Sequence, residues 1–396
     1  MRPLSDIRVL DLTNVLAGPF ACHNLTHLGA QVIKVEAPGR GDLARQLGAD
    51  PDLSERGMGV SFLAQNAGKK SVTVNLKHPD GKALFLRLVE TADVVVENFR
   101  PGVMDRLGLG YEVLKGITPR LIYCAISGFG QDGPWADRPA YDQIIQGASG
   151  VMSITGDRES APLRVGYPVA DTVGGLTAAF AITAALNANP RGTFIDVSML
   201  ESVLATMGWV VSNHLIAGVD PTANGNENVT SAPSGAFQAK DGLINIAANK
   251  EEQWVLLTDH LGLAGLREEP EFATREDRKA NRLLLKSKLE TVLKTKPAQE
   301  WEVALNRIGV PSGAVLSVPD VLAAPQIADR GFLHRFDHVP GVDRDIQIAT
   351  TGIKLDGRAP SVDRPPPELG ADSAEVWGEL GISSETLAEL KEDGAI

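Results

Sequence analysis

The chain has 396 residues, which is longer than one hydrophobic core usually supports, so its length predicts two domains. Its 43% hydrophobic and 22% charged residues are typical of a soluble globular protein, and its net charge of −12 argues against nucleic acid as a partner. No apolar run reaches the roughly 20 residues that span a bilayer, and the N-terminal stretch MRPLSDIRVLDL lacks a signal peptide's apolar region. We therefore expect a cytoplasmic protein with no membrane partner.

Strands and helices alternate over the first 130 residues. The predicted elements are, in order, a strand at Ile7–Leu12, a helix at Phe20–Leu28, strands at Gln31–Glu36 and Lys69–Leu76, a helix at Asp80–Thr91, and strands at Asp93–Asn98 and Leu121–Ser127. The strand at Asp93–Asn98 is almost continuously apolar, as in parallel sheets that are covered on both faces. This alternation predicts an α/β fold with a doubly wound, Rossmann-like large domain.

Turn-forming residues divide the rest of the chain. The stretch DPTANGNENVTSAP, residues 220–233, is typical of a linker, and a hairpin on an Asp-Gly turn with two helices follows it. We expect a large domain of residues 1–200 plus 340–396, a linker at 201–233, a small α+β domain at 234–331 and a return linker at 332–339.

Cations follow several of the predicted strands. Ligands of open parallel sheets bind beyond the carboxyl ends of the strands. Arg40, Lys77 and Arg100 lie at such ends, and Arg106 lies one turn into the next helix. If the strand order brings these ends together, the four cations would converge on an anionic cofactor.

Three other chemistries find little support in the sequence. Residues 128–133 match G-x-G-x-x-G, but the PWADRP that follows cannot begin the phosphate-binding helix of a dinucleotide site. His23 and His27 have the i, i+4 spacing of metal ligands without the Glu of HExxH, and no GxSxG elbow is present. Two isolated cysteines, Cys22 and Cys124, indicate neither a disulfide framework nor a zinc site. We therefore predict no metal.

Asp171 precedes an apolar, proline-free run from Leu176 to Ala188 that predicts a buried helix. Two interpretations are open from these residues alone. Asp171 is either the N-cap of that helix or a carboxylate that Gly174 and Gly175 leave accessible to a substrate.

Longer stretches of the chain carry a resemblance to a known family. They are IRVLDLTNVLAGPFA, LGAQVIKVEAPGRGD, KKSVTVNLK, ADVVVENFRPGVMDRLGLGY, AISGFGQDGP, YDQIIQGASGVM, PVADTVGG, IDVSMLES, GVPSGAV and RPPPELG. From Leu4 onward the chain resembles the family III CoA-transferases, the CaiB/BaiF group, and looks most like their dicarboxylate, succinyl-CoA-dependent branch. The resemblance implies an interlocked homodimer in which Asp171 is the catalytic nucleophile.

The resemblance also implies the substrates and their contacts. Coenzyme A enters as a thioester substrate, no cofactor is tightly bound, and the second substrate is a small organic acid. Donors near Gly174 and Gly175 would stabilise the oxyanions of the reaction. The residues implied to contact coenzyme A are Leu16, Asn75, Lys77, Asn98, Phe99, Arg100, Arg106 and Tyr141.

Two departures from the family pattern bear on the reaction. Leu16 stands where formyl-CoA transferases have Gln, which argues against oxalate or formyl chemistry, and Tyr141 stands where 2-methylacyl-CoA racemases have His. A phenol is a weaker base than an imidazole, so racemase is the alternative and transferase the prediction, with a non-enzymatic acyl-CoA binder third. The expected acceptor is a C4–C6 dicarboxylic acid. The candidate cations for its distal carboxylate are Arg45, Arg164, His23 and Lys250.

Overall fold

A parallel six-stranded sheet forms the centre of the larger of two units in the computed structural model, which describes residues 2–396. Its strands are β1 (Arg8–Asp11), β2 (Gln31–Glu36), β3 (Lys70–Thr73), β4 (Val94–Glu97), β5 (Ile122–Ser127) and β6 (Thr193–Ser198). They lie in the order β3-β2-β1-β4-β5-β6. The chain thus starts at the middle of the sheet and winds outward in both directions, which confirms the predicted doubly wound α/β class.

Within the described residues, ten helices accompany these strands along the chain. They are α1 (Ala17–His27), α2 (Pro51–Glu55), α3 (Val60–Leu63), α4 (Pro79–Val89), α5 (Val103–Arg106), α6 (Tyr111–Ile117), α7 (Asp142–Ala148), α8 (Val169–Leu186), α9 (Met199–Thr206) and α10 (Trp209–Ala217). Both faces of the sheet are covered, since Val94 and Val96 pack in one core with α1 and α8 while Val95 packs in another with α4. This double burial is why β4 is apolar at successive positions.

The smaller unit comprises residues Met152–Leu163 and Asp220–Ala324. Its antiparallel sheet has the order β7-β8-β9 and includes the predicted hairpin. Its elements are β7 (Ser234–Gln238), β8 (Leu243–Ala247), α11 (Glu251–His260), α12 (Arg275–Ala280), α13 (Arg282–Leu293), α14 (Ala298–Arg307), β9 (Ser312–Ala314) and α15 (Val318–Leu322). Phe237, Trp254 and Trp301 are among the buried side chains of its own core.

The chain then returns to the larger unit, which contains residues up to Val151, Arg164–Val219 and Pro325–Ile396. The elements of this last part are α16 (Pro325–Asp329), β10 (Leu333–Phe336), β11 (Ile346–Ala349), α17 (Ser373–Glu379) and α18 (Ser384–Glu392). Short 3-10 helices lie at Leu43–Gln46, Val151–Ile154 and Ala264–Glu268.

Four features of the chain differ from the prediction. α1 begins at Ala17 and α8 at Val169, earlier than the expected Phe20 and Leu176. Residues 201–219, expected as part of a linker, belong mostly to α9 and α10. The chain also departs into the smaller unit for residues 152–163. Such early helix starts depend on partners from distant loops, which local sequence does not show.

α8 is long and apolar enough to cross a membrane by length and composition, a test that a buried core helix also passes. Its small residues pack it closely against α1 within the same unit. A Cβ atom at Gly175 would lie 2.5 Å from the carbonyl oxygen of Ala17. This contact packs one face of α8 against α1 in the larger unit.

Candidate active site

Asp171 is the third residue of α8, in its first turn. The N-cap is Pro168, whose side chain makes no capping hydrogen bond, so the N-cap interpretation of Asp171 is wrong. The cap comes instead from α7, where Oδ1 of Asp142 accepts the amides of Ala170 at 2.8 Å and Asp171 at 3.4 Å. The buried carboxylate of Asp142 therefore accepts the hydrogen bonds of these first-turn amides of α8, in place of Asp171.

Asp142 is itself held by its own helix and by the hinge before α8. Its Oδ2 accepts a hydrogen bond from Nε2 of Gln146 at 2.6 Å, and the Arg164 guanidinium lies 3.6 Å away. Gln146 also accepts the amide of Val165 and donates to the carbonyl of Tyr167. The segment from Arg164 to Tyr167 is thereby fixed against α7.

The carboxyl group of Asp171 is electrostatically disfavoured as an anion. Burial and, to a smaller extent, the neighbouring charge of Asp142 together raise the pKa of Asp171 to about 7. Among residues 2–396 no hydrogen-bond donor contacts its carboxyl oxygens. With this pKa, part of the group is protonated at neutral pH in the free protein. A carboxyl with such a pKa is characteristic of reactive sites.

Gly174 and Gly175 lie inside α8, so their amides point to carbonyls one turn back. A Cβ atom at Gly174 would lie 2.9 Å from Cγ of Met199, so both glycines serve close packing. The expected oxyanion donors are thus not found there, because the helix begins five residues before Gly174.

Free backbone donors occur instead at the start of α1. The amides of Ala17 and Gly18 have no hydrogen-bond acceptor within the described part of the chain. Ala17 touches Gly175, which lies on the same helical face as Asp171, one turn further along α8. Leu16, the half-buried N-cap of α1, offers no side-chain hydrogen bond there.

The loop before α1 is held in an unusual conformation by a buried ionic network. Val15 has a φ of 68°, a left-handed value that is rare for a β-branched residue. Its amide donates to Oδ1 of Asp42 at 2.9 Å, and Asp42 pairs with Lys34 at 2.8 Å. All four charged groups of the pairs Lys34–Asp42 and Lys69–Asp11, which adjoin this loop, are inaccessible to solvent. The only sequence signal for this network was the presence of charged residues within predicted strands.

Several residues expected to contact coenzyme A have structural partners. The side chain of Asn98 exchanges two hydrogen bonds of 2.8 Å with the backbone of Asn14, joining the ends of β4 and β1. Asn75 binds the carbonyl of Gly394 and accepts the amide of Lys77. These amides position loops, and each side chain keeps one N–H and one lone pair for a further contact, so binding of coenzyme A by Asn98 and Asn75 stays a prediction.

Phe99 and Tyr141 differ in their surroundings. Phe99 is half-buried against the core, and its amide donates to Glu97 at 2.8 Å. Burial raises the pKa of Glu97 to about 7. Tyr141 directly precedes α7 and is 70% exposed, so its ring is free to contact a ligand next to Asp142.

The four cations at the strand ends remain exposed. Arg40, Lys77, Arg100 and Arg106 have no ion-pair partner within residues 2–396. They follow β2, β3 and β4, which lie in the sheet on either side of β1. The distance from β3 to β4 is three strand spacings, or about 14 Å. The strand order thus places the four cations along one edge of the sheet.

Two candidates for the distal carboxylate are buried and occupied. Arg45 pairs with Glu36 at 2.8 Å and stacks on the ring of Phe62. His23 packs against His27, and burial holds its pKa well below the usual range, so it is neutral. Neither can meet a second substrate carboxylate without breaking the core, and that expectation is wrong for both.

The other two candidates are accessible. Lys250 lies in the smaller unit, at the start of α11. The side chain of Arg164 is 48% exposed and lies beside Asp142, which contacts the amide of Asp171. Of the four candidates, Arg164 is therefore the one that is linked to Asp171, through Asp142.

One group of potential metal ligands occurs among residues 2–396, and it does not include His23 or His27. His78, Asp80 and Asp393 bring their ligand atoms within 4.8 Å of one another. Nε2 of His78 lies 3.1 Å from Asp393, as expected for a hydrogen-bonded pair. Both carboxylates are largely exposed, and the arrangement is explained as a surface contact.

Known proteins resemble this chain along most of its length. The family model of CoA-transferase family III matches residues 4–373. An acetyl-CoA:oxalate CoA-transferase of Acetobacter aceti is 42% identical over 84% of this chain and 85% of that protein. A succinate–glutarate CoA-transferase of Agrobacterium fabrum is 37% identical over 96% of each. The crystal structure of a CaiB/BaiF family protein from Brucella suis has a TM-score of 0.83 and 35% identity, covering 96% of this chain and 99% of that one.

Proposed function

The chain belongs to CoA-transferase family III, and on that premise we propose that it transfers coenzyme A from succinyl-CoA or a similar acyl-CoA to a C4–C6 dicarboxylic acid through Asp171. The observation that carries this proposal is the half-buried Asp171 carboxyl, with its raised pKa and no hydrogen-bond donor of its own, on the face of α8 that packs against the start of α1. A carboxylate stripped of water and of hydrogen bonds is a stronger nucleophile than a solvated one.

The proposed reaction needs only carboxylates and the thiolate of coenzyme A. Asp171 attacks the thioester carbonyl, and the C–S bond breaks to give a mixed anhydride and CoA thiolate. The thiolate attacks the aspartyl carbonyl, which releases the donor acid and leaves an aspartyl-CoA thioester. The acceptor carboxylate attacks that thioester and displaces the thiolate. The thiolate then attacks the acceptor carbonyl of the new anhydride, which yields the new acyl-CoA and restores Asp171.

Each attack creates an oxyanion that needs hydrogen-bond donors. We assign this role to the amides of Ala17 and Gly18, in place of those of Gly174 and Gly175. Donors already oriented by a helix start cost little reorganisation during the reaction. The phosphates of coenzyme A would then extend along the strand ends toward the exposed cations.

A dicarboxylate acceptor requires a cation for its second carboxylate, because burying that charge unpaired costs several kcal/mol. Arg164 fits this role through its exposure and its place beside Asp142. The names of relatives that act on glutarate, D-citramalate and mesaconate support this acceptor class. The relative from Acetobacter aceti is named for oxalate, a shorter diacid. The apolar Leu16 argues against oxalate as the acceptor of this chain.

Trapping of the covalent intermediate tests the mechanism. Incubation with acyl-CoA followed by hydroxylamine or borohydride should modify Asp171, as mapped by peptide mass spectrometry. The Asp171→Asn protein is the control and should show no modification. Labelling at another carboxylate, or no labelling during turnover, would refute the assignment of Asp171 as the nucleophile.

The acceptor is tested with succinyl-CoA as donor and a panel of oxalate, C4–C6 dicarboxylates, monocarboxylates and aromatic acids. We expect the C4–C6 diacids to be preferred, and Arg164→Ala to raise their KM by about tenfold or more while changing that of monocarboxylates little. The control is Arg120→Ala. Arg120 is an exposed arginine just before β5, at the amino ends of the strands and therefore far from the exposed cations. Preference for a monocarboxylate would overturn the acceptor class and leave CoA transfer standing.

We also propose that the protein is a homodimer. α10 is apolar yet has no buried residue, and Leu215 and Ile216 on it are 75% and 85% exposed. Phe180 on α8 is 75% exposed as well. Apolar surface of this extent usually marks a protein interface. Light scattering should give twice the mass of the 42.1 kDa chain, and a monomeric mass at micromolar concentration would contradict the proposal.

A further inference from the structure

The strand that leads to Lys77 is at the edge of the sheet. β3 is hydrogen-bonded to β2 on one side, and no strand of residues 2–396 lies on the other. The turn that follows β3, residues 75–78, therefore receives no support from a neighbouring strand on that side. An edge turn that carries a ligand-binding cation needs another partner to keep a fixed position.

That partner is the segment after α18, residues 393–396. The amide of Asn75 donates to the carbonyl of Ala395 at 2.8 Å, and Nδ2 of Asn75 donates to that of Gly394 at 3.1 Å. Nε2 of His78 lies 3.1 Å from Oδ2 of Asp393. Three contacts thus connect the segment to both ends of the turn.

Packing fixes the segment in place. Ala395 is fully buried, and its carbonyl oxygen lies 2.8 Å from where a Cβ atom at Gly81 would be. Ile396 packs against the core that contains Trp377. The segment reaches this position because Gly394, with a φ of 76°, ends α18 in a left-handed turn.

We propose that residues 393–395 are a positioning element for acyl-CoA binding, which holds the Asn75–His78 turn so that Lys77 meets a phosphate of coenzyme A. This inference rests on the proposed binding of acyl-CoA by Lys77. Oδ1 of Asn75 accepts a hydrogen bond from the amide of Lys77 at 3.1 Å, so a shift of Asn75 would also shift the backbone of Lys77. Displacing the segment should weaken acyl-CoA binding and leave the chemical step at Asp171 intact.

Gly394→Val displaces the segment without changing any residue of the turn, because a β-branched residue is strained at this φ. Gly381→Val is a matched control. Gly381 also has a φ of 76°, ends α17 with the same pair of backbone hydrogen bonds, and has no atom within 4 Å of a Cβ, as is true of Gly394. Both variants should lower Tm similarly, so a difference between them in KM cannot come from general destabilisation.

We expect Lys77→Ala to raise the KM for succinyl-CoA by about tenfold or more, as for the loss of one charge-assisted contact. Gly394→Val should raise it about three- to tenfold with kcat nearly unchanged, and Gly381→Val should leave both constants unchanged. Adding Gly394→Val to Lys77→Ala should have little further effect, since the two act through the same contact. Gly394→Asn should retain the wild-type KM, because Asn tolerates the left-handed conformation.

Two results would overturn the proposal in different ways. If Lys77→Ala raises KM while Gly394→Val behaves like Gly381→Val, the positioning role is wrong and the cation's role stands. If Lys77→Ala leaves KM unchanged, the assignment of Lys77 to acyl-CoA binding is wrong, and the positioning role fails with it.

Discussion

Asp171→Asn tests whether burial and the charge of Asp142 destabilise the ionised Asp171 carboxyl in the folded protein. Folding raises its pKa from 3.8 to about 7. Three pKa units at about 1.4 kcal/mol each set an upper limit of about 4 kcal/mol on the destabilisation by the charged form. Partial solvent access reduces this, and we expect about 1–3 kcal/mol. Asn has nearly the same size without the charge, so it should remove this cost.

The sign of the effect depends on pH. Below about pH 4 the carboxyl is protonated in both the folded and the unfolded state, and it costs nothing. As pH rises toward 7, the unfolded state loses its proton while the folded state keeps it, so stability falls. Above pH 7 the full cost persists. The variant should therefore melt several degrees above the wild type at pH 8 and close to it at pH 4.

Thermal melts at pH 4, 6 and 8, followed by circular dichroism, measure this difference, and a CoA-transfer assay on the same samples measures function. Activity should fall on the order of 10³-fold or more, as for the loss of other nucleophiles. Asp137→Asn, an exposed carboxyl of the same unit, is the control and should show no pH-dependent gain. If the variant melts below the wild type at pH 8, the charged Asp171 carboxyl does not destabilise the fold. If a well-folded variant retains turnover, Asp171 is not the nucleophile.

Three further predictions concern the reaction. Because Asp171 must be ionised to attack, kcat/KM should rise about tenfold per pH unit below about pH 7 and level off above it, and a profile flat from pH 5 to 8 would contradict its role. In deuterated water a chiral 2-methylacyl-CoA should show no exchange at its α-carbon, since Tyr141 is a poor base, whereas rapid exchange would favour a racemase. Arg100→Ala and Arg106→Ala should each raise the KM for acyl-CoA about ten- to hundredfold with little change in kcat, and an unchanged KM in both would place the phosphates elsewhere.

The fold could be predicted because its signals are local. Strands that are buried on both faces are apolar at successive positions, and β4 and β5 are recognisable on that basis alone. Helix starts that depend on distant partners could not be predicted in this way. α8 begins at Val169 because Asp142, 27 residues earlier, accepts the amide of its second residue. The sequence indicated only the later, apolar part of that helix.

Buried charges limited the prediction of the site. Arg45 is a natural candidate for binding an anion, yet it is 1% exposed and its guanidinium is bound to Glu36. Burial of a cation depends on its partners being in place, and those partners are set by tertiary structure. The exposed cations Arg40, Lys77 and Arg100 follow strands directly, so their common edge follows from the strand order.

Asp142 and Asp171 place two carboxyl groups at the start of one helix, where the helix dipole favours negative charge. Asp142 takes the amides of Ala170 and Asp171, and it receives Gln146 as a further donor. Asp171 is left near those amides with no donor to its own oxygens. A capping role would have occupied its lone pairs and lowered its pKa, both of which weaken a nucleophile. By giving the cap to Asp142, the protein keeps the proposed nucleophile, Asp171, both basic and unoccupied.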